Sequence, residues 1–230
     1  MPIDKKDGVV ILLDSLGMKG IWKRRELEDV FFNWEALISS TNIDVKVCKT
    51  RGIELKFHAF SDTLIITLTG TDKLILLEEA GITTNSIICA GITAGVYFRG
   101  CLSYGKILRN KNMLTEFDVN MILGNAIDEA ASIYEQSNWV GAFVGPSIAN
   151  ILEETTRENI WKLYVKYDVP LRNNQIQRTW AIRLTNYIAG NLEKNHLTDW
   201  IPIRMKEAPD DNAIVKWENT RKFLEYTTKS

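Results

Sequence analysis

The chain predicts an α+β fold, a mixed or antiparallel sheet carrying helices. Three observations carry that prediction. Apolar runs of strand length recur at Gly8–Asp14 (GVVILLD), Thr63–Thr69 (TLIITLT) and Val96–Tyr104 (VYFRGCLSY). Segments with apolar residues at three- and four-residue spacing lie between them. The resulting order, β-α-β-β-α-β-α-β, departs from the strict βαβα alternation of a parallel sheet.

The elements follow in chain order. Gly8–Asp14 is continuously apolar and ends in a carboxylate, the pattern of a buried central strand. A glycine-bearing loop, Ser15–Gly20 (SLGMKG), leads to a helix over about Arg25–Ser40, with Leu27, Val30, Phe31, Trp34, Leu37 and Ile38 on its apolar face. Alternation predicts strands at Ile43–Cys48 and Ile53–Phe60. Gly70 ends the Thr63–Thr69 strand, and Thr71 is a candidate cap for a helix from Asp72 to about Ala90, irregular near Gly81. Gly105 is expected to close the Val96–Tyr104 strand. A helix over Gly124–Gln136, a strand over Trp139–Val144 and a short helix from Ser147 to Glu154 follow. Leu163–Arg172 and Thr179–Leu184 read as paired strands, and Asp211–Thr227 as an amphipathic helix. Residues 1–156 form the expected core, and 157–230 a C-terminal extension of the same domain made of strands and a helix.

Composition excludes several functions. The 230 residues are 45% hydrophobic and 10% aromatic, enough to bury a full core. Lys and Arg number 28 against 29 Asp and Glu, so the chain lacks the basic footprint of a dedicated nucleic-acid binder. Cys48, Cys89 and Cys101 are odd in number, widely spaced and set in apolar surroundings, which reads as reduced thiols of a cytoplasmic protein. No CxxC or HxxxH spacing suggests zinc. The charged start has no apolar h-region, and the run Ile87–Phe98 is too short and interrupted to span a bilayer, so no membrane association is expected.

Two aspartates stand out by placement. Asp14 ends the first buried strand, and Asp62 lies where Phe60-Ser61-Asp62-Thr63 would turn between two strands. Pairing of those strands would bring the two carboxylates together, and hard divalent cations prefer such oxygen ligands. Leu16, Gly17 and Met18 in the following loop offer backbone N–H groups to phosphate oxygens, and Lys19 and Lys23, with Arg24 and Arg25, could neutralise a triphosphate. Each feature alone also has a plain structural reading: strands stop at Asp because turns favour it, and a basic run suits a solvated helix start.

In combination these segments resemble a family. ILLDSLGMKG, FSDTLIITL, RGCLSYG and GNAIDEAASIYE succeed one another as in the class III nucleotidyl cyclase domain. More narrowly, DSLGMKGIW with FSDT and RGCLSYGKI is similar to the pyrimidine cyclases of bacterial anti-phage (Pycsar) systems, over about residues 8–147. The resemblance implies a ferredoxin-like core working as a head-to-tail homodimer with sites at the interface. It puts Asp14 and Asp62 on the two metal-binding aspartates and the Ser15 carbonyl on a third ligand, for two divalent ions, Mn²⁺ or Mg²⁺. The implied reaction is attack of the ribose 3′-OH of UTP or CTP on the α-phosphate. Its products are pyrophosphate and a 3′,5′-cyclic nucleotide, an alarm signal read by a separate effector protein during phage infection.

The departures from the purine-cyclase pattern are specific. Ala59, beside His58, stands where those enzymes commonly carry a base-recognising Lys. Asp128 and Ser132 fall on their Asn-x-x-x-Arg pair. Either charge stabilisation comes from elsewhere, with Arg99 the candidate, or the protein is inactive. A purine cyclase with a rearranged site and a catalytically silent nucleotide-binding or dimerisation module therefore stand as alternatives.

Overall fold

The computed structural model describes residues 3–17, 26–110, 122–188, 191–193 and 197–228. The chain runs β1 (Ile3–Leu16), α1 (Leu27–Thr50), β2 (Glu54–Phe60), β3 (Thr63–Thr69), α2 (Lys73–Ala94) and β4 (Tyr97–Asn110). It continues through β5 (Ile122–Leu123), α3 (Asn125–Ile133), a 3₁₀ turn (Tyr134–Gln136), β6 (Gly141–Val144), α4 (Pro146–Glu154) and α5 (Glu158–Leu163). The last third holds β7 (Tyr164–Pro170), β8 (Ile176–Ile182), β9 (Asn186–Ile188), β10 (Asn191–Glu193), α6 (Leu197–Lys206) and α7 (Asp211–Thr227).

The main sheet has eight strands in the order β2-β3-β1-β4-β6-β8-β7, with β5 pairing β4 at the side. Pairing is antiparallel except between β4 and β6, whose parallel register needs the crossover through α3. β1 lies inside the sheet with both faces covered, which is why the five consecutive apolar residues Val9, Val10, Ile11, Leu12 and Leu13 are all buried. α3 covers one face: Ser103 Oγ donates to the Ala126 carbonyl and Cys101 Sγ to that of Ala130. α2 covers the other, with Gly91 against the Phe98 ring, where a Cβ would lie 2.3 Å from the Val96 carbonyl oxygen. α2 is long and apolar enough to cross a membrane by composition, yet most of it is buried inside the protein.

Several elements differ from the sequence expectation. Residues 43–48 are helical, because α1 runs on to Thr50. Val30, Leu37 and Cys48, spaced by close to whole helical turns, form one buried stripe that the short alternation concealed. The α2 cap is Asp72, not Thr71: its carboxylate accepts from the Leu74 and Ile75 N–H groups at 2.8 and 3.2 Å. α2 continues through Gly81, a glycine required by packing, since a Cβ would meet Leu163 and Tyr164 at 3.1 Å. Gly105 does not close β4. The strand continues to Asn110 on β1, and Gly105 makes room for Asn125, whose Oδ1 accepts from the Lys106 N–H at 2.7 Å. The sequence reading did not anticipate α5, the β9–β10 pair or α6, the last of which contains Pro202.

The residues after 156 extend the same sheet through β8, where Ala181 pairs with Phe143 of β6. α7 packs back on the sheet through Trp217 and Phe223. Trp217 meets Tyr97 edge-on at 4.7 Å and Phe223 meets Trp139 at 4.6 Å.

Candidate active site

β1 carries Asp14 to a point where its register partners are Thr63 on β3 and Arg99 on β4. The two-residue turn Ser61-Asp62 joins β2 to β3, with Phe60 and Thr63 paired across it. Ser61 takes the left-handed conformation (φ 56°) that such a tight turn demands, a strain of about 1 kcal/mol for a residue with a Cβ. The Ser15 N–H then donates to the Asp62 carbonyl at 2.7 Å, so the hairpin is tied to the residue next to Asp14. The structure thus brings the two predicted aspartates to one strand end.

Arg99 joins them. Its Nε and Nη2 donate to Asp14 Oδ2 at 3.0 and 2.8 Å, and its Nη1 to the Glu135 carbonyl at 3.1 Å. The two side chains are only 8% and 14% exposed. Burial raises the Asp14 carboxyl above its usual range. The Arg99 hydrogen bond and charge oppose that, and the negative charges of Asp62 and Glu135 add to it. A carboxylate so placed favours a cation.

The donor set fits a hard divalent metal. Both Arg99–Asp14 bonds end on Oδ2 of the carboxylate, leaving Oδ1, and Ser15 Oγ is buried with no hydrogen-bond partner among the described residues. Asp14, Asp62 and the Ser15 carbonyl offer oxygen alone. Among the described residues no group of three His, Cys, Asp or Glu side chains could hold a metal by itself, so a cation here would complete its shell from phosphate oxygens and water.

Leu16 and Gly17 follow at the site's edge, Gly17 with φ 80°. Met18, Lys19 and Lys23 lie outside the described residues, as do Arg24 and Arg25. Ser15, Leu16 and Gly17 border a cavity of about 310 Å³ whose other walls include Trp34, Tyr97, Lys216 and Trp217. The sequence reading missed the contributions of Trp34, Lys216 and Trp217, since helical amphipathicity marks them only as face residues of α1 and α7. Asp128 and Ser132 are exposed on α3, and Ala59 is exposed on β2.

No family model matches the chain, and no curated protein matches it. Solved structures do. The guanylate cyclase domain of RhGC from Catenaria anguillulae, in complex with GTP, superposes with a TM-score of 0.56 at 13% identity, over 78% of this chain and 98% of that one. A dimeric guanylyl cyclase domain of a RhoGC fusion protein from the aquatic fungus Blastocladiella emersonii gives 0.56 at 14%, over 79% and 98%. A bacterial light-regulated adenylyl cyclase gives 0.52 at 13%, over 87% and 98%. The fold is that of class III nucleotide cyclase catalytic domains.

Proposed function

We propose that this chain is a pyrimidine nucleotide cyclase, converting UTP or CTP to the 3′,5′-cyclic monophosphate. The observation that carries the reading is the register of β1: one strand end holds Asp14 beside Asp62 on one side and Arg99 on the other, on a cyclase-type fold. In the reaction the 3′-oxygen–phosphorus bond forms, the α–β phosphoanhydride bond breaks, the 3′-hydroxyl proton is lost and pyrophosphate leaves. Divalent ions, Mn²⁺ or Mg²⁺, would lower the 3′-hydroxyl pKa and offset triphosphate charge.

The chain's own residues have separate tasks. Asp14, Asp62 and the Ser15 carbonyl would hold the metals. Leu16, Gly17, Met18, Lys19 and Lys23 would receive the phosphates through N–H groups and ammonium charge. Arg99 orients Asp14 and supplies the positive charge that Ser132 cannot. The exposed Ala59 presents only a methyl group, with no donor to read a purine where purine cyclases commonly carry Lys, which favours the pyrimidine reading. Phe31, Phe32 and Phe60, 63%, 61% and 83% exposed on elements bordering the site, support a homodimer. The reduced thiols Cys48, Cys89 and Cys101 suit the cytosol, and the cyclic product suits an alarm signal for a separate anti-phage effector.

A purine cyclase is the second reading. The matched RhGC domain is described with GTP, and a rhodopsin-guanylyl cyclase core of converted specificity with ATPαS. Incubation with each of the four nucleoside triphosphates and Mn²⁺, with mass identification of products, decides. A cyclic pyrimidine monophosphate is expected; cyclic AMP or cyclic GMP alone would establish the purine reading.

A further inference from the structure

The C-terminal helices build one wall of the cavity that Ser15–Gly17, next in sequence to Asp14, also border, and that wall has no counterpart in the motifs carrying the cyclase resemblance. Among the described residues lining the cavity, two are cations, Arg204 and Lys216. Arg204 is fully engaged: it donates to the Ile92 and Thr93 carbonyls and to Glu207 at 3.1, 2.8 and 2.7 Å, and lies over the Tyr97 and Trp200 rings. Lys216 is different. It is half-buried, its ammonium donates to the Asn212 carbonyl one turn back at 3.2 Å, and it makes no ion pair among the described residues. Burial and the nearby charges of Arg99 and Arg172 hold its pKa below the usual lysine range, against the pull of Asp210. Arg99 is paired with Asp14 and Arg172 with Glu135, whereas Lys216 has no ion-paired carboxylate among the described residues; a polyanion in the cavity would supply one.

We propose that α7 closes the nucleotide pocket from within the same chain, with the Lys216 ammonium binding a phosphate oxygen of the triphosphate. This rests on the nucleotide reading above. Ser15, Leu16 and Gly17 line the same cavity, and in the reading above they begin the loop that would receive the phosphates, so a triphosphate bound there would come within reach of Lys216. The position is fixed by the buried neighbours of Lys216 on α7. Trp217 packs on Tyr97, and Thr220 Oγ1 accepts from the Val140 N–H at 2.8 Å. The C-terminal extension thereby acquires a task in substrate binding.

The test compares wild type with Lys216→Ala, Lys216→Gln and Lys216→Arg. Two probes are used with Mn²⁺: uridine α,β-methylene triphosphate and inorganic tripolyphosphate, the second independent of base choice. Both neutral variants are expected to bind about tenfold more weakly at unchanged melting temperature, with Lys216→Arg retaining most of the affinity. On wild-type protein, either probe should slow acetylation of Lys216 by an amine-reactive reagent, a readout that needs no variant to fold. Equal binding by wild type and the neutral variants, or unslowed labelling at saturating probe, overturns the role of Lys216 and leaves the nucleotide reading standing. A wild-type chain that binds neither probe overturns both.

Discussion

Arg99 and Asp14 are cross-strand partners at the end of β1, and the guanidinium places two hydrogen bonds, of 3.0 and 2.8 Å, on a single oxygen of the carboxylate. Its third donor reaches the Glu135 carbonyl at 3.1 Å. Asp14 is therefore held in one orientation, with its other oxygen outside the clamp.

Removing the clamp should be costly. Arg99→Ala leaves Asp14 largely buried among the negative charges of Asp62 and Glu135, a loss of about 3 kcal/mol by denaturant unfolding. Arg99→Lys restores the charge but not the span from Asp14 to the Glu135 carbonyl, and should recover only part of the loss. Unchanged stability in Arg99→Ala would show that the pair does not hold Asp14.

The pH dependence follows from the raised Asp14 carboxyl. A group that binds its proton more tightly folded than unfolded lowers stability as pH rises between the two values. Above both, the folded state keeps an ionised Asp14 at a cost that a bound cation offsets. Mn²⁺ should therefore stabilise the protein increasingly from acid to neutral pH, by about 3 kcal/mol at a hundredfold excess over its Kd. Thermal melts with and without Mn²⁺ across that range measure it, and Asp14→Asn should abolish the difference. A shift independent of pH, or retained in Asp14→Asn, would place the cation elsewhere.

Gly100 lies between Arg99 and Cys101 on β4, and a Cβ there would fall 2.1 Å from the Leu12 carbonyl oxygen of β1. Gly100→Ala should force β1 and β4 apart and cost about 3 kcal/mol or more, with loss of the Asp14–Arg99 register. Amide exchange along β1, read by mass spectrometry, is expected to accelerate; native protection in the variant would contradict this.

α7 is anchored by a buried hydroxyl. Thr220 Oγ1 accepts from the Val140 N–H at 2.8 Å and donates to the Lys216 carbonyl at 2.9 Å. Thr220→Val keeps the shape and removes the acceptor, leaving a buried N–H unpaired at a cost of about 2 kcal/mol. A melting temperature equal to wild type would show that α7 is held by packing alone.

The parts of the fold readable in the sequence are those whose signal is local. β1 and β3 are continuous apolar runs, and α7 is predicted over the span it occupies, Asp211–Thr227. The two aspartates were readable for the same reason: a carboxylate at a strand end and another in a tight turn are features of a few adjacent residues. The Asp14–Arg99 pair was not readable, because it depends on β1–β4 register, which alternation does not specify when both strands are buried on both faces. The strand expected at Ile43–Cys48 failed because six residues of alternation carry less weight than a helical stripe from Val30 to Cys48. The cavity wall from Trp217 and Lys216 was hidden because it joins the two ends of the chain, and composition there shows only an amphipathic helix.

Cyclisation of a nucleoside triphosphate at the Asp14–Asp62 strand end can be followed by phosphorus NMR of the wild-type protein with UTP and Mg²⁺ or Mn²⁺. The expected result is loss of the three triphosphate signals with equimolar growth of a 3′,5′-cyclic phosphodiester and pyrophosphate, and no such change in folded Asp62→Ala. Release of orthophosphate or nucleoside diphosphate instead, or the same cyclic product from Asp62→Ala, would contradict it.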